Sequence, residues 1–514
     1  MTMHDTFADD HAYQKNLRWW DGFTISLSIP AALFVGMGYA LGAIGGWTTM
    51  VLLGAVAVLA CLQNFIYSEM AAMFADKVGG ISMFAHEGWR RHSTLVGPIA
   101  TFGYWFSWSS SLAIYGLQIG KLVQAEWLPS QTWTFSTGLA TIGLPHLIAL
   151  GVLFAGWGLN VIGMRVAMSI MYVTGVLVVV PIIIFAAAPL FSADWSISNM
   201  HWDLGASGES GWRTALAWMF VLAWSVYGIE AVASFVPEFK FTVRDSKIAL
   251  RLAGFFVIAV YILVPLGVGG LTHQADVAAN PVTFYLETFG KLFPGGDIFM
   301  TISLIAGLVL LMVMTTADGG RVLHGSAREG LTIRQLGELN RFKVPGRAMS
   351  LDLVVNVILI LFVGEALAVI VAGIVGYLLC HILSLTGFLH LRRDMPDAER
   401  PIKLGGQWLY IAGFLVVVDS AMLVVGALSA KITGYGTTKE LIVGVFVLSL
   451  SVVLYFYRRV VQDHQPWIWK ESAEAVEADL AVNAKPVEPA EVAAAELVDS
   501  DVESKEALTE STLA

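Results

Sequence analysis

Residues 212–237 read WRTALAWMFVLAWSVYGIEAVASFVP. The run is apolar for long enough to cross a bilayer, which takes roughly 20 helical residues. Its middle nevertheless holds Trp224, Ser225, Tyr227, Gly228 and a carboxylate, Glu230. An ionisable group at mid-membrane is costly and has to face protein or water, so its default role is on a solute or ion pathway. Gly228 marks where the helix can open. A broken helix at membrane depth is tolerated only where it is enclosed by protein or lines a cavity, and such helices form the substrate sites of many secondary transporters. The structural alternative is a kinked helix with Glu230 satisfied by a neighbouring hydroxyl.

The whole chain has the same character. It is 56% hydrophobic and 14% charged over 514 residues, with a mean hydropathy of +0.70, the balance of a polytopic membrane protein rather than a soluble globule. Cys61 and Cys380 sit inside apolar stretches, so neither a disulfide framework nor a cysteine-based metal site is suggested. The first eighteen residues are polar and lack the apolar core and cleavage site of a signal peptide, which makes the first apolar run a retained span.

Apolar runs bounded by polar, Gly or Pro-containing breaks recur near 22–43, 47–69, 96–124, 140–160, 166–191, 212–236, 248–271, 297–318, 349–364, 367–390, 408–430 and 437–459. They predict an all-α integral membrane protein of twelve transmembrane helices, the ninth being short. Twelve spans place both termini on one side. Of the 30 Lys and Arg residues, only Lys121, Arg213, Lys291, Lys431 and Lys439 fall on the opposite side, leaving 25 with the termini. The positive-inside rule makes that side cytoplasmic, in a plasma-membrane protein. The domain reading is a segment 1–21, a ten-span core 22–390 in two halves (22–191 and 212–390), a loop and two helices over 391–459, and a tail 460–514. Residues 471–514 hold 12 acidic residues against Lys485 and Lys505, so with 40 acidic and 30 basic residues overall the tail carries the whole net charge of −10. Its composition predicts a mostly disordered tail with at most a transient helix, either solvated or docking a regulator.

The first span holds a second interruption signal. Pro30 cannot donate to the carbonyl of Ser26 and its ring clashes there, which predicts opened backbone over 26–31 and carbonyls available to a cation or polar ligand. Five spans separate it from the Gly228 break, so the two interruptions fall at matching places in two five-span halves. Paired interruptions are the best sequence pointer to a transporter site.

Several segments resemble the amino acid-polyamine-organocation superfamily. Tyr67-Ser68-Glu69-Met70 followed by Gly79-Gly80 is similar to the family's Y-x-E-L and G-G segment, and residues 160–165, NVIGMR, to its N-x-x-G-x-K. Glu238-Phe239-Lys240 with Arg244-Asp245 resembles the E-x-K-N-P-x-R-D loop, with Phe241-Thr242 in place of Asn-Pro. Residues 320–330, GRVLHGSAREG, are similar to S-R-L-L-Y-A-x-A-R-D-G. The likeness covers about the first 400 residues. It implies the leucine-transporter-type fold, a 5+5 inverted repeat with broken helices 1 and 6, plus two C-terminal helices. Residues 224–230, WSVYGIE, are similar to the sixth span of the superfamily's arginine/agmatine antiporters. That implies a substrate-stacking gate for Trp224 and a proton-linked role for Glu230. One departure stands out: the family's G-S-G turn in span 1 reads Pro30-Ala31-Ala32, which removes a backbone donor for a substrate carboxylate.

The expected substrate site comprises Ser28, Ile29, Pro30, Ala31 and Ala32 with Trp224, Ser225, Tyr227 and Gly228, and Tyr104 of span 3 as a wall beside Trp105 and Trp108. Backbone donors, carbonyls and aromatic faces together suit a zwitterionic or cationic solute. Thr315 and Thr316 are candidates for coupling beside Glu230, through a sodium ion, unless their hydroxyls bond the preceding helical turn. Asp318 is expected to pair with Arg321, Glu69 to hold the loop after span 2, and Asp419 to serve a structural or oligomer contact. Glu230 is the one carboxylate expected at mid-membrane in the core. No metal, cofactor or nucleic-acid partner is expected beyond a coupling H+ or Na+, and no metal cluster, nucleophile elbow or phosphate loop suggests an enzyme. The function read from the chain is a secondary transporter of an amino acid, or a related amine or polyamine, working by alternating access. An exchanger or a transporter-like nutrient sensor is the alternative.

Overall fold

The computed structural model describes residues 13, 15–136, 141–205, 208–362, 366–433 and 438–483. Its α-helices are α1 (Trp19–Ile44), α2 (Gly46–Met73), α3 (Gly80–Trp89), α4 (Val96–Trp127), α5 (Leu144–Ile162), α6 (Met164–Ala187), α7 (Gly211–Val226), α8 (Thr242–Leu271), α9 (Gln274–Ala279), α10 (Phe284–Leu292), α11 (Asp297–Arg328), α12 (Gly346–Phe362), α13 (Ala366–Asp394), α14 (Gln407–Leu428), α15 (Thr438–Phe456) and α16 (Ala473–Asn483). A small antiparallel hairpin, β1 (Thr134–Ser136) and β2 (Thr141–Gly143), joins α4 to α5.

Ten helical segments among the described residues are long and apolar enough to cross a membrane. α4 and α12 are the two expected spans outside that set. α12 has 17 residues, the short ninth run. α4 has 32 residues but is rich in Ser, Gly, Tyr and Trp, and most of it is buried; its surroundings are protein, so lipid does not dictate its composition. Buried side chains of α1, α2, α4, α7, α8, α11 and α13 merge into one apolar core. Helices α5, α6, α14 and α15 instead expose Phe154, Val176, Val417 and Phe446, the residues a lipid-facing surface requires. Close helix contact depends on small residues, as elsewhere in membranes. A Cβ on Gly103 of α4 would lie 2.4 Å from the Gly376 carbonyl oxygen of α13, leaving no room for any side chain.

The expectation for span 6 holds in its backbone. α7 ends at Val226, Tyr227 is extended, Gly228 takes φ +102°, and a 3-10 segment runs Ile229–Glu238. The expectation for span 1 does not hold. α1 runs Trp19–Ile44 as one helix with Pro30 inside it. Near the proline, Ser28 Oγ donates to the Ile25 carbonyl at 2.6 Å and the Tyr261 hydroxyl to that of Ile29 at 3.0 Å, and proline inside membrane helices is tolerated where neighbouring groups bond the backbone.

The described part of the tail holds one short helix. Residues 473–483 form α16, whose Val476 is buried and whose Asp479 reaches Arg90 (2.7 Å) and Lys77 (3.2 Å). The Thr94 N–H donates to the Trp469 carbonyl and the Glu471 N–H to that of Arg90, both at 2.9 Å. Two buried cations, Lys77 and Arg90, give the acidic segment a partner that composition alone does not reveal. Residues 484–514, and with them most of the acidic tail, lie outside the described residues. Glu69 holds the chain after α13 rather than the one after span 2, accepting from Arg392 Nη2 at 2.5 Å and from the Leu404 N–H at 2.8 Å.

Candidate functional site

The break in span 6 leaves backbone N–H groups at the start of the 3-10 segment without helical acceptors. Glu230 fills one such vacancy from within the segment, its Oε2 accepting from the Gly228 N–H at 2.5 Å. Its Oε1 accepts from the Tyr377 hydroxyl at 2.6 Å and lies 3.7 Å from His381 Nε2. Tyr377 and His381 stand one turn apart on α13, so a single helix face presents both to the carboxylate. His381 Nδ1 meets the Tyr67 hydroxyl at 2.8 Å. Glu230 is therefore a buried, multiply bonded group beside aromatic rings. Gly228 is required twice over: its φ is positive, and a Cβ there would lie 2.5 Å from the Trp108 ring and 2.8 Å from Ile29.

Aromatic rings of α4 and α13 cluster beside the break. Tyr104 and Trp108 pack edge-to-face on Tyr377, with centroids 5.6 and 5.7 Å apart. Trp224 is buried with its Nε1 donating to Ser111 Oγ at 3.1 Å, and the Tyr115 ring lies 6.2 Å away. The Tyr115 hydroxyl neighbours those of Ser111 and Thr315, which places Thr315 at the Trp224 end of the site. Tyr261 joins α1 to α7, its hydroxyl lying within hydrogen-bond reach of both the Ile29 and Ser225 carbonyls.

Other expected residues play local parts. The Ser225 hydroxyl bonds the Leu222 carbonyl at 3.0 Å and that of Thr316 the Met312 carbonyl at 2.9 Å, both back to the preceding turn. Ser26 Oγ, rather than an opened span 1 carbonyl, spans to Ile229 O at 3.4 Å. Ala31 borders a small cavity of about 20 Å³ shared with Gln118 and Gly307. Pro30 and Ala32 are buried within α1.

Glu230 is not the sole buried carboxylate of the core. Asp318 takes the Tyr104 hydroxyl at 2.9 Å, and Asp352 takes Trp105 Nε1 at 2.6 Å. Arg321 bonds Glu238 at 2.5 Å and not Asp318 as expected, because the end of the 3-10 segment brings Glu238 to it. Asp419 is buried and accepts from the Tyr227 hydroxyl at 2.7 Å and from Gln63 Nε2 at 2.9 Å, a structural role that ties α14 to the break in span 6. Sequence reasoning passed over Tyr377, His381, Asp352 and Gln63. A polar signal existed for two of them, the Tyr377/His381 pair in an otherwise apolar helix. Two groups of His and carboxylate at the basic end, His92–His390–Asp394 and His86–Glu87–Glu329, already enclose cations of the chain itself, Arg393 and Lys77.

Chemically, the centre offers a backbone donor held by a titratable carboxylate, aromatic faces and several hydroxyls. That set suits a small zwitterion and a proton. The chain is 21% identical over 472 residues, 83% of its length and 80% of the relative's, to the glutamate/serine transporter AimA of Bacillus subtilis (strain 168). The amino acid permease family profile matches residues 17–455. A match over so much of the chain makes this protein a member of the amino acid permease family.

Proposed function

We propose that the protein is a proton-coupled secondary transporter that carries an amino acid across the plasma membrane by alternating access, and is not an enzyme. In this reading α4 and α12 join the ten apolar segments as spans, giving twelve in a 5+5 inverted repeat plus two, with both termini cytoplasmic. One observation carries it: Glu230 occupies the Gly228 N–H at the break in span 6. A substrate carboxylate needs such a donor. While Glu230 is ionised, the donor is taken; once Glu230 is protonated, its hold weakens and the donor is released to the substrate. Proton and substrate then bind together. Proton coupling is favoured over sodium coupling because the group that holds the backbone donor at the break is itself ionisable, Glu230. The relative is named for glutamate and serine, which makes these the first compounds to test.

The test is uptake of radiolabelled glutamate, serine and a polyamine into proteoliposomes under an imposed pH gradient or an imposed sodium gradient. Accumulation of an amino acid driven by the pH gradient is the expected outcome. Accumulation driven only by sodium would overturn the coupling, and no amino acid accumulation under either gradient would overturn the transport reading.

A further inference from the structure

A second, larger cavity, of about 800 Å³, opens at the end of the molecule that carries the basic loops. It lies between the start of α1, the start of α6, the end of the 3-10 segment and the loop preceding α12, and shares no lining residue with the Glu230 site. Four cationic side chains line it: Arg165, Lys240, Arg341 and Lys343. Its two carboxylates are engaged elsewhere. Asp21 accepts from the Arg18 N–H at 2.7 Å and from the Tyr172 hydroxyl, and Glu238 holds Arg321. Among the described residues the Arg165 and Lys240 side chains form no ion pair. The 24-residue helix α6 starts at this wall, adding the positive end of its dipole.

The charge lies next to an exposed apolar wall. Ile162, Val166 and Tyr172, at the adjoining ends of α5 and α6, line the cavity and are 52%, 37% and 40% exposed. A soluble anion would satisfy the cations but leave this wall unused, and a zwitterionic lipid would use the wall but bring no net charge. An anionic phospholipid matches both. We propose that the cavity is a binding site for an anionic phospholipid, with the phosphate between Arg165 and Lys240 and the acyl chains along Ile162, Val166 and Tyr172. Basic pockets between membrane helices take such headgroups through the same combination of charge and apolar contact. Occupancy has a structural consequence, because Leu17 and Glu238 also line the cavity. The Leu17 N–H donates to the Glu238 carbonyl at 2.9 Å and the Lys240 N–H to that of Leu17 at 2.8 Å. A lipid held here braces the strap that joins the N-terminal segment to the end of the broken span.

The test is thermal unfolding of the purified full-length protein in a nonionic detergent, titrated with short-chain phosphatidylglycerol, short-chain phosphatidylcholine or inorganic phosphate. Phosphatidylglycerol should raise the unfolding temperature saturably, and the other two should not. The Arg165→Gln/Lys240→Gln double variant should need about 25-fold more phosphatidylglycerol, at roughly fivefold per cation. Arg393→Gln, an exposed change at the same end but outside the cavity, should respond like the wild type. Equal responses to phosphatidylglycerol and phosphatidylcholine would overturn the proposal, as would a double variant that titrates like the wild type. An equal response to phosphate would assign the cavity to a soluble anion and overturn the lipid assignment.

Discussion

The Glu230 carboxylate accepts a hydrogen bond from the backbone nitrogen of Gly228, two residues before it, at 2.5 Å. The residue that breaks the helix and the residue that seals the break are thus in direct contact. A helix end opened at membrane depth needs a replacement acceptor, and this chain supplies it from its own next turn. The carboxylate is in turn held by Tyr377, so any change in its charge is transmitted to α13.

Gly228→Ala should destabilise the protein. The φ of +102° is strained for alanine and the new methyl group would overlap the Trp108 ring. Strain and overpacking together should cost about 2–5 kcal/mol, read as a lower unfolding temperature in detergent along with lost uptake. An unchanged unfolding temperature would show that the segment is not held in this conformation.

Asp419 and Tyr227 should behave as a coupled pair. Both are buried and their contact is 2.7 Å, so a cycle of Tyr227→Phe and Asp419→Asn should give an interaction energy of about 0.5–3 kcal/mol in unfolding measurements. Strict additivity would detach Asp419 from the site and return it to a separate structural role.

Docking of α16 should depend on pH. Burial acts to raise the Asp479 carboxyl, but Lys77 and Arg90 outweigh it and hold the group below its ordinary value; Glu87 is held low in the same way. A carboxylate with a depressed pKa contributes stability that is present above its unfolded value and lost as pH falls through the folded one. His86 adds to the effect. Burial above all pulls it from 6.5 to about 4, so between those values the unfolded state takes up the proton and acid again destabilises the fold. Hydrogen exchange over 473–483 should therefore show protection near pH 7 that is lost below about pH 4, in the usual carboxylate range. Asp479→Asn should reduce it at neutral pH. Wild-type exchange as fast as an unstructured peptide at pH 7 would refute the docking.

Much of the membrane architecture is legible in the sequence because lipid imposes a simple rule on composition. The signal is weaker at α4, whose run at 96–124 is still legible although protein largely replaces lipid as its surroundings and Ser, Tyr and Trp are frequent in it. Gly228 and Glu230 stand out because each is costly where it sits. Pro30 misleads by the same logic: its cost is real, yet α1 runs through it unbroken, within a packed setting where Tyr261, 231 residues further on, bonds the neighbouring Ile29 carbonyl. Tyr377, His381 and Asp352 were hidden for a related reason. Whether a polar side chain faces the site or a neighbouring helix depends on contacts more than 100 residues away, such as Tyr377 with Glu230 and Trp105 with Asp352. The docking of α16 was equally hidden, since its partners Lys77 and Arg90 are remote in sequence.

The central claim is that protonation of Glu230 frees the Gly228 N–H for the substrate. The most direct test is the pH dependence of amino acid uptake into proteoliposomes by the wild type and by Glu230→Gln, which keeps the shape of the side chain but cannot ionise. Wild-type uptake should rise as the external pH falls, because the neutral carboxyl releases the donor. The Gln variant, folded and inserted, should show a flat profile and fail to accumulate substrate under a pH gradient. A Gln variant that retains the wild-type pH profile and gradient-driven accumulation would contradict the account and leave Glu230 a structural cap on a broken helix.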